Sequence, residues 1–357
     1  MHRSNARFIV QIAILCALVA ISVIAGTPSF AGTAQQATHR LDGYRIYFSE
    51  GNKEASPFDR SDNGASRLAG LLQNLGAELF SLEWRRPIPD DADLVVIVGP
   101  TRDLAANQSG RLWVYLNEGG ALLLLADPLN FTTNTEGAPV TEISGALKYD
   151  KGFFELTWTD YGVRARGDVV VTEATDASGA RTLATDFAAG IVDQTHPITT
   201  GIEGDLAFFG ARSIEYDASL QSFQTTPLVF SNDSFYGETG YIDYLDQGTF
   251  ALNAGIDTPR EFLALAVAGE NLAAGSRVVI IGDRDFATNG AGLQTSPPNT
   301  TAFLYPGNVQ FLLNAVAWLV GADSSETVEL AFPAPGPTAT ATPVPTPTPI
   351  PTATPAA

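Results

Sequence analysis

DLVVIVGPTRDLAANQSGRLWVYLNEGGALLLLADP, residues 93–128, holds two apolar runs of strand length with a helical stretch between them. Leu94 to Val98 is an unbroken apolar run rich in β-branched residues, of the kind that a strand buried on both faces requires, and Gly99-Pro100 ends it. Leu112, Tyr115 and Leu116 fall on one face of a helix that stops at Glu118-Gly119-Gly120, and Ala121 to Ala126 is a second buried run. Strand, helix, strand at this spacing is the repeating unit of a parallel sheet.

The same pattern extends outward. Upstream, Tyr44 to Phe48 reads as a strand, followed by a polar loop (Ser49 to Asp62). Leu68, Leu71, Leu72 and Leu75 then mark a helix that ends at Gly76, and Ala77 to Trp84 reads as another strand. Downstream, Arg277 to Ile281 is a late buried strand with Gly282 to Phe286 as its exit, and Asn308 is expected to cap a helix that runs to Leu319 and stops at Gly321. Its apolar residues lie nearly all round, which predicts that it is well covered. The four apolar runs at residues 44–48, 94–98, 121–126 and 277–281 are expected to share one mainly parallel, doubly wound α/β sheet. Between them, residues 131–260 are rich in Thr, Gly and Asp and patterned as short strands, among them Pro227 to Phe230, with Phe262 to Val267 as the last strand of this stretch. This stretch reads as a β-rich insertion within an α/β domain spanning 41–330.

The two ends differ from this core. Arg3 and Arg7 precede an apolar stretch, Phe8 to Ala25, and Ser29-Phe30-Ala31 places small residues at the −3 and −1 positions of a signal-peptidase site. Residues 1–31 therefore read either as a cleaved export signal or as an N-terminal anchor, the apolar run being nearly long enough to span a bilayer. Either way the domain is expected outside the cytoplasm, touching membrane only through that segment. Residues 331–357 are built almost wholly of Pro, Thr and Ala, which predicts an extended, disordered tail with no apolar segment after it.

Composition excludes several chemistries. Among 357 residues, 20 Lys and Arg against 39 Asp and Glu give a charge of −19, which disfavours nucleic acid as a partner. The only cysteine is Cys16, inside the N-terminal apolar run, and beyond His2 the histidines are His39 and His196. No thiol nucleophile, thiolate metal site or zinc site is expected in the domain, and no cofactor.

Several stretches taken in order resemble a known family. Residues 93–100 and 115–128, Val278 to Phe286, and Gly307-Asn308 through Trp318 to Gly321 are similar to the auxiliary domain of gliding-motility-type ABC transport systems and to related domains of unknown function. His196-Pro197-Ile198-Thr199-Thr200-Gly201-Ile202 also resembles a stretch of the trehalose-utilisation branch of the class I glutamine amidotransferase-like superfamily. The resemblance implies a flavodoxin-like sheet on the outer side of a membrane, working beside transport or envelope proteins.

An amidotransferase-type enzyme needs a cysteine on a strained elbow after a central strand, and none stands there; a Gly-x-Ser-x-Gly elbow is also absent. The expected function is thus a non-enzymatic accessory or binding module. The alternative is a carbohydrate-acting hydrolase or lyase using Asp127, Asp283 or His196 as acid or base. Ligands of open α/β sheets sit outside the carboxyl ends of the strands, where the sequence puts Glu50, Asn52, Asp127, Asp283 and Asp285. These residues are the candidate site for a carbohydrate or small polar ligand. Asp also caps turns and helices routinely, so a purely architectural role for Asp127 and Asp283 stands beside it.

Overall fold

The computed structural model describes residues 34–133, 139–143, 152–219, 222–298, 300–323 and 327–332. The N-terminal segment 1–31 and the tail from residue 333 lie outside them. The first half alternates as read: β1 (Ala34–His39), β2 (Arg45–Ser49), α1 (Ser66–Asn74), β3 (Glu78–Leu82), β4 (Leu94–Val98), α2 (Ala106–Asn117) and β5 (Ala121–Leu125). Next come β6 (Leu129–Thr133), β7 (Pro139–Ile143), α3 (Phe153–Tyr161), β8 (Val163–Ala165), β9 (Val169–Thr175), β10 (Arg181–Ala184), β11 (Asp186–Ala188) and β12 (Ile191–Val192). β13 (Ala207–Phe209), β14 (Ile214–Tyr216), β15 (Phe223–Phe230), β16 (Tyr236–Glu238) and α4 (Tyr241–Gln247) follow. β17 (Ala264–Asn271), β18 (Ser276–Ile281), α5 (Pro306–Leu319) and β19 (Thr327–Phe332) complete the described chain.

The central sheet has eight strands in the order β12-β15-β17-β18-β5-β4-β2-β3. β3, β2, β4, β5 and β18 are parallel, in the order of a flavodoxin-like sheet, and the four apolar runs share it as expected. Period-two alternation divides the core in two. Ile46, Phe48, Val96, Leu123 and Val279 face α1 and α5, while Tyr47, Val95, Ile97, Leu124 and Ile280 face α2 and α3. Helices thus cover both faces, and β4 and β5 are buried at every residue.

The structure departs from the sequence reading in two places. Pro227 to Phe230 and Phe262 to Val267, read as parts of the β-rich elaboration, belong to β15 and β17, which extend the central sheet antiparallel. The mixed Thr, Gln and Pro composition of β15 reflects its place near the sheet edge, where Pro227 and a register irregularity beside it blunt further pairing, whereas β17 is buried at all but one residue. Apart from β12, which ends the central sheet, the other strands of the insertion form small sheets, and the sheet of β10, β9 and β16 has a separate core of Val169, Val171, Leu183, Tyr236 and Tyr241. Second, Asn308 is not the cap of α5. Tyr305 holds that position without a side-chain cap and Pro306 is the first helical residue. Asn308 instead accepts from the Ala207 N–H (2.8 Å) and donates to the Ala207 carbonyl (2.9 Å), pinning α5 to β13.

Every residue of α5 after Pro306 is buried, as its all-round apolar pattern predicts. One of the elements packed on it is a two-stranded antiparallel ribbon of β1 and β19, pairing Ala34 with Phe332 and His39 with Thr327. The chain therefore enters and leaves the domain side by side.

Candidate functional site

β5 and β18 are adjacent and in register, Leu125 against Ile281, so Asp127 and Asp283 each stand two residues beyond a paired position at the same carboxyl edge. Asp283 is fully buried. Its Oδ2 accepts from the Phe209 N–H (2.6 Å) and its Oδ1 from the Asp285 N–H (2.7 Å). Burial, reinforced by the nearby Asp285 and Asp127 carboxylates, raises the Asp283 carboxyl well above the usual aspartate range. Asp285 accepts from the Thr288 hydroxyl (3.0 Å). Asp127, Asp283 and Asp285 are thus brought together. Glu50 and Asn52 belong to a separate knot over β2 and β3: Glu50 accepts from Ser56 and Ser81 (2.7 Å each), while Asn52 is buried and bound to Glu54.

Three groups that organise this edge escaped the sequence reading. Arg212 is fully buried, its guanidinium donating to the carbonyls of Arg166 and Ala165 beside Asp168 and Asp127. Burial lowers it to about 10, opposed by those two carboxylates, so it remains a cation at neutral pH. Asp168 accepts from the Ser213 N–H (2.9 Å) and from the hydroxyls of Ser213 (2.7 Å) and Thr258 (2.6 Å). Glu54 gathers the Ser49 hydroxyl (2.5 Å) and the N–H groups of Gly51 (2.9 Å) and Asn52 (2.6 Å). A lone arginine among small and aromatic residues, Phe208-Phe209-Gly210-Ala211-Arg212-Ser213, was the one available signal: a charge in such a run must be paired when buried.

The mouth of the sheet is filled. Gly99 has φ +60°, and a Cβ there would lie 2.1 Å from Cδ of Arg284, whose side chain covers the exit of β4 and donates to the Asn63 carbonyl (2.9 Å). Asn289 ties the same exit loop to residues 59–67 through the Arg67 N–H and the carbonyls of Asp59 and Ser61. Gly282 is equally constrained, because a Cβ would fall 2.0 Å from the Arg212 carbonyl oxygen. Gly282→Ala is therefore expected to cost about 3 kcal/mol, whereas Gly70→Ala, in α1 with open space around it, should gain roughly 0.5–1 kcal/mol. Urea unfolding of the two variants checks this contrast.

His196 lies at the other end of the sheet. Its ring meets Trp318 edge-on at 5.0 Å, and the Trp318 carbonyl binds Arg277 at the start of β18, the strand whose far end leads to Asp283. Nδ1 accepts from the Ile198 N–H (3.2 Å), the local turn that His-Pro suggests, and burial lowers the imidazole below its ordinary value. Sequence reasoning grouped His196 with Asp127 and Asp283 as acid and base candidates; the structure separates them by the length of β18. A groove of about 1140 Å³ also opens at this amino edge, walled by Arg111, Val114, Tyr115 and Arg277. Among the described residues no group of three or more His, Cys, Asp or Glu is arranged to hold a metal ion, and no helix is long and apolar enough to cross a membrane.

The family model described as an ABC-type uncharacterized transport system matches residues 44–315. No curated protein matches the chain. Similar solved structures include the N-terminal domain of mmIFT52 (13% identity, 77% of this chain and 97% of that one, TM-score 0.48). A ThuA-like protein from Bacteroides uniformis shares 8% identity over 84% of this chain and 97% of its own, with TM-score 0.41. A cytoplasmic protein from Salmonella typhimurium shares 14% over 77% and 98%, with TM-score 0.40.

Proposed function

Because this chain belongs to the family described as an ABC-type uncharacterized transport system, we propose that it is an auxiliary module of such a system, exported and working by contact rather than catalysis. The observation that carries this reading is the extent of the match, which runs from the first strand of the central sheet into α5. The state of the carboxyl edge supports it. Asp283 is spent on two backbone N–H groups, Arg284 covers the exit of β4, and His196 lies too far away to pair with either aspartate. His196 and the two aspartates therefore share no cleft in which they could act together as acid and base on a carbohydrate.

The ribbon of β1 and β19 gives the module its attachment. The export segment precedes Ala34 and the Pro/Thr tail follows Phe332, and these two residues pair directly. In an anchored form, tail and anchor would then start from the same corner of the domain, the tail serving as a spacer beside the membrane. Affinity purification of the full chain from detergent-solubilised membranes tests the proposal. Recovery of a permease or ATP-binding-cassette subunit in stoichiometric amount is the expected result, and recovery of the chain alone from mild detergent would overturn it.

A further inference from the structure

Among the described residues, the first and last strands pair only with each other. β1 and β19 form a two-stranded sheet outside the central one, antiparallel over six residue pairs from Ala34 with Phe332 to His39 with Thr327. A two-stranded ribbon alone is marginally stable in water, so this one depends on the side packed against the domain. Val328 rests on the core that α5 shares, and Thr38, opposite it, is buried. That packing is imperfect, because the Thr38 hydroxyl is buried with no hydrogen-bond partner, which penalises the closed ribbon.

The inner end of the ribbon joins a firmer structure. Leu41, two residues past His39, is fully buried, and its N–H donates to the Leu75 carbonyl (2.8 Å). It leads into β2, which lies between β3 and β4 inside the central sheet. On the other flank Ala322 is buried just past α5, its N–H donating to the Ala317 carbonyl (2.7 Å).

Geometry sets how the ribbon meets tension. The chain before Ala34 and the chain after Phe332 leave from the same end of the ladder, and the hydrogen bonds of an antiparallel ladder lie across its strands. A pull that separates the two flanks therefore falls on the Ala34–Phe332 pair alone, then on the next pair, and the ladder opens as a zipper does. Had the flanks left from opposite ends, all six pairs would share the load in shear. Each pair contributes a modest net hydrogen-bond stabilisation and releases about 7 Å of chain, which puts opening on the order of 10 pN. The domain beyond Leu41 and Ala322 gives way only by losing its central sheet and the packing on both faces together, and so requires more force.

We propose that the β1–β19 ribbon is a tension-released strap: when its flanking segments are pulled apart it unzips before the domain yields, lengthening the link between them while the domain stays folded. The chain at 34–40 and 323–332 comes free, about 17 residues or roughly 50–60 Å of contour. The strap rests on the reading of residues 1–31 as a membrane anchor and of the tail as a spacer to a partner, which together supply the tension.

Optical-tweezers pulling of the full chain in detergent, through handles at its two ends, reads the strap. The expected trace has a reversible step of roughly 50–60 Å on the order of 10 pN, followed at higher force by the large extension of the domain. A trace without the early step, or with ribbon and domain yielding in one event, would overturn the proposal. His39→Cys with Thr327→Cys, in a Cys16→Ser background that removes the only native thiol, identifies the step. The oxidised cross-link shields the domain from load, so the large extension should vanish while the early step persists, shortened to roughly 40 Å. Loss of the early step together with the large one would show that it arises elsewhere, and would equally overturn the strap. These traces need no transport partner, so a missing step counts against the strap alone and leaves the transport role to the purification.

Discussion

Arg212→Met should lower the thermal midpoint of the domain by about 10 °C. Arg212 is fully buried and its guanidinium supplies the carbonyls of Arg166 and Ala165 while neutralising Asp168 and Asp127. Methionine fills much of the volume but leaves the buried Asp168 and the half-buried Asp127 without their cation. Removing one partner of a buried charge pair costs about 3–5 kcal/mol, and each kcal/mol moves the midpoint of a domain this size by roughly 2–4 °C. Arg212→Lys is expected to recover only part of the loss, because an ammonium cannot reach both carbonyls with the planar fork of arginine. Circular dichroism melting curves decide it: a midpoint within about 3 °C of wild type for Arg212→Met would mean that the guanidinium does not hold the carboxyl edge together.

The second large effect belongs to Asp283. Asp283→Ala leaves the N–H groups of Phe209 and Asp285 without an acceptor, at about 1–3 kcal/mol each. The residue also titrates. Burial first, then Asp285 and Asp127, favours its neutral form in the folded state. Its contribution to stability is complete below the ordinary aspartate value of 3.8 and declines as pH climbs toward the raised folded value. Asp283→Asn keeps the shape and one acceptor but cannot ionise, so denaturant midpoints taken at about pH 5 and about pH 8 should differ less in this variant than in wild type. Equal pH slopes in the two proteins would show that the carboxyl ionises freely in the folded state. A ligand-binding aspartate, by contrast, would be replaceable with little cost to folding.

Much of this architecture was legible because it depends on local periodicity. Leu94 to Val98 and Ala121 to Ala126 are apolar at every position, glycines stand at their exits, and such runs fit only strands covered on both faces. The ends of those strands were legible too, which is why Asp127 and Asp283 could be set at one edge. The relations that decide what the edge does were not. Arg212 meets Arg166 and Ala165 across 46 and 47 positions, Asp283 meets Phe209 across 74, and Asn308 meets Ala207 across 101. A hydrogen bond of that span leaves no spacing pattern behind, so Asn308 looked like a helix cap and Arg212 escaped the reading altogether. β15 was read as part of the insertion for a related reason: an antiparallel strand near a sheet edge tolerates Thr, Gln and Pro, and composition alone does not say which sheet it joins.

Under the proposed function the chain works beside a transport system on the outer side of a membrane. Labelling of intact cells with a membrane-impermeant amine reagent, followed by purification of the chain from solubilised membranes, tests it most directly. Lys53 stands exposed on the loop after β2 and should be modified. The account predicts a chain labelled at Lys53 that brings permease or ATP-binding-cassette subunits with it; a chain that stays unlabelled until the cells are broken, or that is labelled but comes away alone, would contradict it.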